Sequence, residues 1–216
     1  MALARMTKKR AEEIYFILEE MFPDAKAELN FTNPYELLIA TILSAQCTDV
    51  RVNQVTEVLF KKYPNPEDIA NLSQEELEKE IYTCGFYRNK AKNILSATRI
   101  LLEEYNGVVP ETIEELVKLP GVGKKTANVV ASCAFGVPAI AVDTHVFRTS
   151  NRLGLANADT VEKTEAQLEK IWPKEFWSKG HHLLIFLGRR VCKSRKPLCE
   201  ECNLSMECKY YTKEKK

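Results

Sequence analysis

Four of the chain's seven cysteines, Cys192, Cys199, Cys202 and Cys208, fall within seventeen residues in the spacing C-x6-C-x2-C-x5-C. A segment so dense in thiols must close on itself, through disulfides or around metal, before it can pack against anything else. The N-terminal stretch MALARMTKKRAEEIYFILEEMF has no apolar run of signal-peptide length, and no other segment approaches a membrane span. The chain is therefore expected in the cytosol, with no membrane partner. Thiols stay reduced there, which makes metal the better reading than disulfides. Zinc ribbons present paired C-x2-C knuckles and this stretch holds one such pair, so the spacing leans toward a four-thiolate iron-sulfur cluster while leaving zinc open. Cys47, Cys84 and Cys133 stand apart in helical surroundings, where the expected role is a small buried hydrophobe.

At 216 residues the chain can hold one large or two small domains, and 45% hydrophobic with 28% charged residues suits a globular protein with a real core. A formal net charge of +1 gives no overall sign of a nucleic-acid partner. The average hides a local bias. The stretch GRRVCKSRKP, 188–197, carries Arg189, Arg190, Lys193, Arg195 and Lys196 and no acid, so any anion-binding face is local and surrounds the first cysteine of the cluster. The alternative is a solvated charge run.

Helix signals recur along the chain. NPYELLIATILSAQ offers Asn33 as N-cap, Pro34 at the first position and Glu36 at the third. LSQEELEKEIYTCG repeats the capping box with Ser73 and Glu76, with Gly85 as the expected stop. Thr112 with Glu115 and Asp159 with Glu162 do so again. Val52, Val55, Val58 and Leu59 fall on one helical face, as do Ile94, Ala97, Leu101 and Tyr105. The pattern predicts an all-α chain. VPAIAV, 137–142, is short, apolar and interrupted by Pro138, and reads as a buried connector at a domain crossing.

The stretch LPGVGKKTANVV, 119–130, places two glycines and two lysines before a helix. It is not a P-loop. Lys118 stands where the first glycine of that motif belongs, and Lys125 rather than Ser or Thr follows Gly123-Lys124. What remains is a glycine turn at a helix N-terminus, where amides and the helix dipole favour an anion, or a plain helix-helix turn. CGFYRNKAKNI echoes this pattern weakly.

LPGVGKKTANVV, AVDTH eighteen residues after Lys125, and the four-cysteine spacing together resemble the endonuclease III family of DNA glycosylases with abasic-site lyase activity, as do LSAQCTD (43–49) and GFYRNKA (85–91). The resemblance implies an all-α, two-domain helix-hairpin-helix DNA glycosylase fold. A six-helix barrel would span 27–137 with the hairpin at about 112–132, and an iron-sulfur domain would combine 1–26 with 138–216. The active site would lie in the cleft between them. It further implies a [4Fe-4S] cluster on Cys192, Cys199, Cys202 and Cys208, and a monomer acting on double-stranded DNA with damaged pyrimidines or abasic sites in a bacterial or archaeal cytosol or nucleoid.

Residue by residue, the family's nucleophilic lysine falls on Lys125. Lysine suits the task because an amine attacking the deoxyribose C1′ displaces the base and leaves a Schiff base, which acidifies the neighbouring proton and permits β-elimination. The attacking amine must be neutral, whereas a lysine at its reference pKa of about 10.4 is almost wholly ammonium at pH 7. Asp143 takes the lysine's proton or stabilises the positive sugar, or simply caps the following helix. Gly121 and Gly123 let amides reach a phosphate, and Lys124, Lys193 and Lys196 are further DNA contacts. Flipping a base out of the stack costs a few kcal/mol, offset by inserted side chains. By motif, Gln46 fills the gap and Phe86 wedges the opposite side, where this family often has leucine. His145 is expected to be structural or to touch phosphate. The alternatives are an adenine mismatch glycosylase, which lacks the nucleophilic lysine, and a non-catalytic iron-sulfur DNA-binding protein, which needs neither Lys125 nor Asp143.

Overall fold

The computed structural model describes residues 6–214, and among them every regular element is helical. In chain order these are α1 (Lys8–Met21), α2 (Pro34–Ser44), α3 (Asp49–Lys62), α4 (Pro66–Ala70), α5 (Gln74–Ile81), α6 (Tyr87–Glu104), α7 (Ile113–Leu116), α8 (Lys124–Phe135), α9 (Thr144–Leu153), α10 (Val161–Ile171), α11 (Lys174–Arg190) and α12 (Lys209–Glu214). Two 3-10 turns, Cys199–Glu201 and Ser205–Glu207, precede α12.

Local chemistry sets most starts. Asn33 caps α2 by accepting from Glu36 N at 2.9 Å, with Pro34 at the first position. Ser73 and Glu76 form a reciprocal box at α5, 3.2 and 2.8 Å. Two expectations shift. The cap of α10 is Thr160, one residue past Asp159, because Asp159 instead pairs with Lys163 Nζ at 2.8 Å while Thr160 accepts from Lys163 N. Helix α5 ends at Ile81, so Gly85 does not stop it. On α3, Val52, Val55 and Leu59 are buried while Val58 is exposed, since 52, 55 and 59 hold one side of a 3.6-residue helix and 58 drifts off it.

The chain separates into two compact units, Glu28–Val137 and the combination of Met1–Ala27 with Pro138–Lys216. In the first, α2 is the hub. Eight of its eleven residues are buried, including Leu37, Leu38, Ile39 and Leu43, as befits a helix apolar on all sides. It packs against α8, α3 and α6. In the second unit α9 lies against α11, and α1 joins them although it comes from the far end of the chain. Trp172 explains that union: it is buried, its indole Nε1 donates to Ala11 O of α1 at 2.9 Å, and its ring fills the space beside Gly180, where a Cβ would stand 2.8 Å away. Tyr15 of α1 stacks on Phe176 at 3.9 Å between ring centres. The segment 137–142 has no regular structure, and Ala139 to Val142 are buried.

Candidate functional site

In the unit Glu28–Val137, α7 and α8 form a hairpin. Its turn is pinned by Leu119 and Val122, both buried and joined by Val122 N donating to Leu119 O at 3.1 Å. Between and after these anchors, Gly121, Gly123, Lys124 and Lys125 are exposed. The two glycines serve different ends. Gly121 has a φ of +80° and a Cβ there would meet Asn93 Cβ of α6 at 2.9 Å, so the fold itself demands glycine. Gly123 is the N-cap of α8 with a φ of −84°, open to any residue, and a Cβ there would meet nothing within 4 Å. No side chain caps α8, and its first turn holds no acid. The leading amides of α8 and two lysines thus share one outward face.

Gln46 and Phe86 lie in the same unit and share an uncommon backbone. Both are exposed, and both adopt left-handed conformations, with φ of +53° and +58°. For a residue with a Cβ this costs about 1–2 kcal/mol. Among the described non-glycine residues the left-handed set is completed by Asn106, in a turn before Gly107, and Lys196 of the basic loop. Three of the four are therefore residues the sequence assigns to DNA, and stored strain gathers at working sites. Phe86 is the N-cap of α6, which also lacks a side-chain cap. The two strained segments touch, since a Cβ on Gly85 would lie 3.5 Å from Gln46 O.

Beneath them is a group that periodicity alone could not find. Lys90 is buried, and its Nζ donates to Leu43 O at 2.8 Å, closing the C-terminal end of α2 just before Gln46. Burial lowers its pKa. The thiol of Cys84 is fully enclosed and is pushed up to about 11, chiefly by burial.

In the other unit Asp143 is the N-cap of α9, its Oδ1 accepting from His145 N and Val146 N, both at 2.8 Å. Two bonds on one oxygen fix the carboxylate's direction and leave Oδ2 outside the cap. His145 packs against α11: Gly188 approaches so closely that a Cβ there would lie 2.9 Å from the imidazole, and Arg148 meets Nδ1 at 3.1 Å. A guanidinium only donates, so Nδ1 accepts. His182 of α11 escaped the sequence reading. Burial holds its pKa down to about 4 against the opposing charge of Asp143, so a neutral imidazole lies within the field of that carboxylate at pH 7.

Cys192, Cys199, Cys202 and Cys208 line one pocket of about 360 Å³, counted to its open mouth, with Leu153, Leu187, Tyr210 and Arg152 among its other walls. None of the four is in a disulfide. Burial raises Cys202 and Cys208, and each is raised further by other members of the set. Among the described residues no three His, Cys, Asp or Glu side chains are arranged to hold a single metal ion.

Leu198 N donates to Val191 O at 3.0 Å and closes the loop 192–197, on which Lys193 and Lys196 are exposed. Two arginines one turn apart on α9 hold this loop. Arg148 Nε donates to Cys192 O at 3.1 Å, and Arg152 donates to Lys193 O at 2.8 Å, Ser194 O at 3.0 Å and Cys192 Sγ at 3.4 Å while lying over the Tyr210 ring. Their i, i+4 spacing was visible in the sequence, but their target was not. Arg190 departs from its expected place in the basic face: it forms a bidentate pair with Asp24, 3.1 and 2.7 Å, and lies over Phe186.

Residues 39–174 match the family model described as HhH-GPD superfamily base excision DNA repair protein. A curated relative, endonuclease III of Bacillus subtilis (strain 168), is 54% identical over 202 residues, covering 92% of each chain. A solved structure of a trapped endonuclease III-DNA covalent intermediate, an estranged-adenine complex, superposes with a TM-score of 0.93 at 52% identity, covering 98% of this chain and 100% of that one. A non-covalent endonuclease III-DNA complex gives 0.92 at 52% identity, covering 97% and 99%.

Proposed function

The chain belongs to the HhH-GPD superfamily of base excision DNA repair proteins and, within it, to the endonuclease III family, and on that premise we propose how its residues divide the work. It is a DNA glycosylase and abasic-site lyase of base excision repair. Neither the adenine mismatch glycosylase nor the non-catalytic alternative is favoured.

The observation that carries the assignment is the face of α8, an uncapped helix start with Lys125 exposed on its first turn behind a glycine that nothing inside the protein requires. Amides of Gly121 and Gly123, with Lys124, take a DNA phosphate. Lys125 Nζ attacks C1′, the C1′–N bond breaks with its pair leaving on the base, and the aminal that results loses an amine proton and opens the sugar ring, the C1′–O4′ bond breaking with O4′ taking up a proton, to give the Schiff base from which β-elimination cuts the strand. A covalent intermediate seen in a relative supports this route. Asp143, aimed by its own cap, accepts the proton of the amine or faces the positive sugar. Gln46 and Phe86 fill the duplex around the extruded nucleotide, with oxidised pyrimidines as the substrate class and the protein acting as a cytosolic monomer.

The four thiols fit a [4Fe-4S] cluster. Four cysteines lining one pocket supply the all-thiolate donor set that such a cluster takes. When bound it would cross-link the C-terminal segment, and the loop it closes would carry Lys193 and Lys196 to the phosphate backbone. The division between Lys125 and Lys124 is tested by borohydride reduction during turnover on abasic duplex. Wild-type protein and Lys124→Gln become covalently joined to DNA, while Lys125→Gln binds but neither traps nor cuts. Asp143→Asn, which keeps the helix cap, slows base removal far more than it weakens binding. Trapping that survives in Lys125→Gln would refute the assignment.

A further inference from the structure

Among the described residues Lys90 is the only buried lysine, 5% exposed. Enclosing a lysine amine costs a fold more than enclosing an apolar side chain of the same length, so lysine in this place calls for a role other than filling space. Its contacts supply one. From the first turn of α6, Nζ donates at 2.8 Å to Leu43 O, one of the last carbonyls of α2, which a helix cannot pair within itself. That end of α2 is also the negative end of its dipole, to which a cationic donor is matched. The backbone N–H of the same lysine donates to Phe86 O at 3.1 Å. One residue therefore holds both carriers of the left-handed pair: the end of α2 three positions before Gln46, and the start of α6 at Phe86 itself.

We infer that Lys90 is a positioning residue, whose side-chain amine locks the Gln46 and Phe86 segments into the arrangement that enters the duplex. The inference rests on the assignment of those two residues to duplex insertion. Filling a gap from one side and wedging the stack from the other succeeds only when both side chains arrive together. Two segments that come from different parts of the chain need a common anchor to do so.

The path from the anchor to each inserted residue is short. Only Ser44 and Ala45 separate Leu43 from Gln46, and Cys47 N donates to Ser44 O at 3.0 Å across the turn, so a shift of Leu43 O passes directly to Gln46. On the other side the two backbones already touch, with a Cβ on Gly85 only 3.5 Å from Gln46 O. An apolar side chain at position 90 would preserve the packing of α2 on α6 while letting the end of α2 slide. Its effect on folding is small, because the lost hydrogen bond is offset by relief of a buried polar group.

The test uses the iron-loaded full chain carrying Lys90→Met, which keeps the length and removes the donor, with Lys90→Gln as a second variant. Melting should stay within about 4 °C of wild type, while amide exchange in segments 43–47 and 86–90 of the free protein quickens roughly tenfold. On a duplex with 2-aminopurine opposite an abasic site, apparent affinity should fall roughly tenfold, since only molecules with both segments in place bind, and the brightening on binding should shrink. In a protein already carrying Gln46→Ala and Phe86→Ala, Lys90→Met should add no further loss, because nothing is left to position. Wild-type affinity and brightening in Lys90→Met would overturn the inference. A further tenfold loss in the double-alanine background would do the same, by giving Lys90 a role apart from the inserted pair. Failure of both variants to fold would make the amine a stability element, which also overturns it. A double-alanine protein that binds and brightens like wild type would instead sink the insertion reading and the duplex half of the inference with it, while amide exchange still decides whether Lys90 holds the two segments.

Discussion

Alanine at Gly121 and alanine at Gly123 add the same methyl group two residues apart and should fail in opposite ways. At Gly121 the new residue must hold a φ of +80°, costing about 1–2 kcal/mol, and its Cβ meets Asn93 Cβ at 2.9 Å, an overpacking cost of about 1–3 kcal/mol. The sum is roughly 2–5 kcal/mol, on the order of 10 °C in melting temperature for a chain of this size. At Gly123 the backbone is unstrained and the added carbon meets nothing, so the fold loses only the cap preference of glycine over alanine, at most about 1 kcal/mol. If a phosphate rests on this turn, however, the methyl group separates it from the amides. Losing one charge-assisted hydrogen bond of about 1.5–3 kcal/mol weakens binding roughly 10- to 100-fold. Thermal melts and fluorescence anisotropy on a labelled abasic duplex, run on both variants, decide the matter. A Gly123→Ala protein that melts and binds like wild type would refute the phosphate face, and a stable Gly121→Ala would refute the packing argument.

Three other outcomes are expected. Purified protein should be yellow-brown and contain iron rather than stoichiometric zinc, and neutralising Lys193 and Lys196 should reduce the dependence of log affinity on log salt by about one for each lost phosphate contact; an unchanged slope would remove them from the interface. His182 has a folded pKa of about 4 against an ordinary value of 6.5, so the unfolded chain binds the extra proton between those values. Its contribution is complete above pH 6.5 and is lost as pH falls through 4, a decline of at most about 3 kcal/mol, reduced by the partial exposure of the ring. Urea midpoints at pH 7 and 4.5 should therefore differ less in His182→Gln than in wild type.

What the sequence revealed was whatever chemistry is local. Asn33, Ser73 and Thr112 cap their helices because a short polar side chain needs only the amides two or three residues ahead. Thr160 displaced Asp159 because two adjacent residues could both cap and a third, Lys163, decided between them. Glycine was taken as the marker of a helix stop at position 85, yet the left-handed residue is Phe86, a strain that no propensity favours. Lys125, Asp143 and the four cysteines stand out in the sequence as candidates, through a family motif and a spacing, whereas Lys90, His182, Arg148 and Arg152 do not. Each of those acts on a partner more than thirty residues away, and reach of that kind is set by packing alone.

Helix α9 is ten residues long, about 15 Å from end to end. It begins at the Asp143 carboxylate and, through Arg148 and Arg152, grips the loop that starts at Cys192. A rod held at both ends transmits tilt. Lengthening or shortening the loop by one residue would turn the helix about its own packing surface and re-aim the carboxylate at its far tip. The segment between Cys192 and Cys199 thereby acquires a fixed ruler length, and on the role proposed for Asp143 insertions there should slow base removal although they fall some fifty residues downstream.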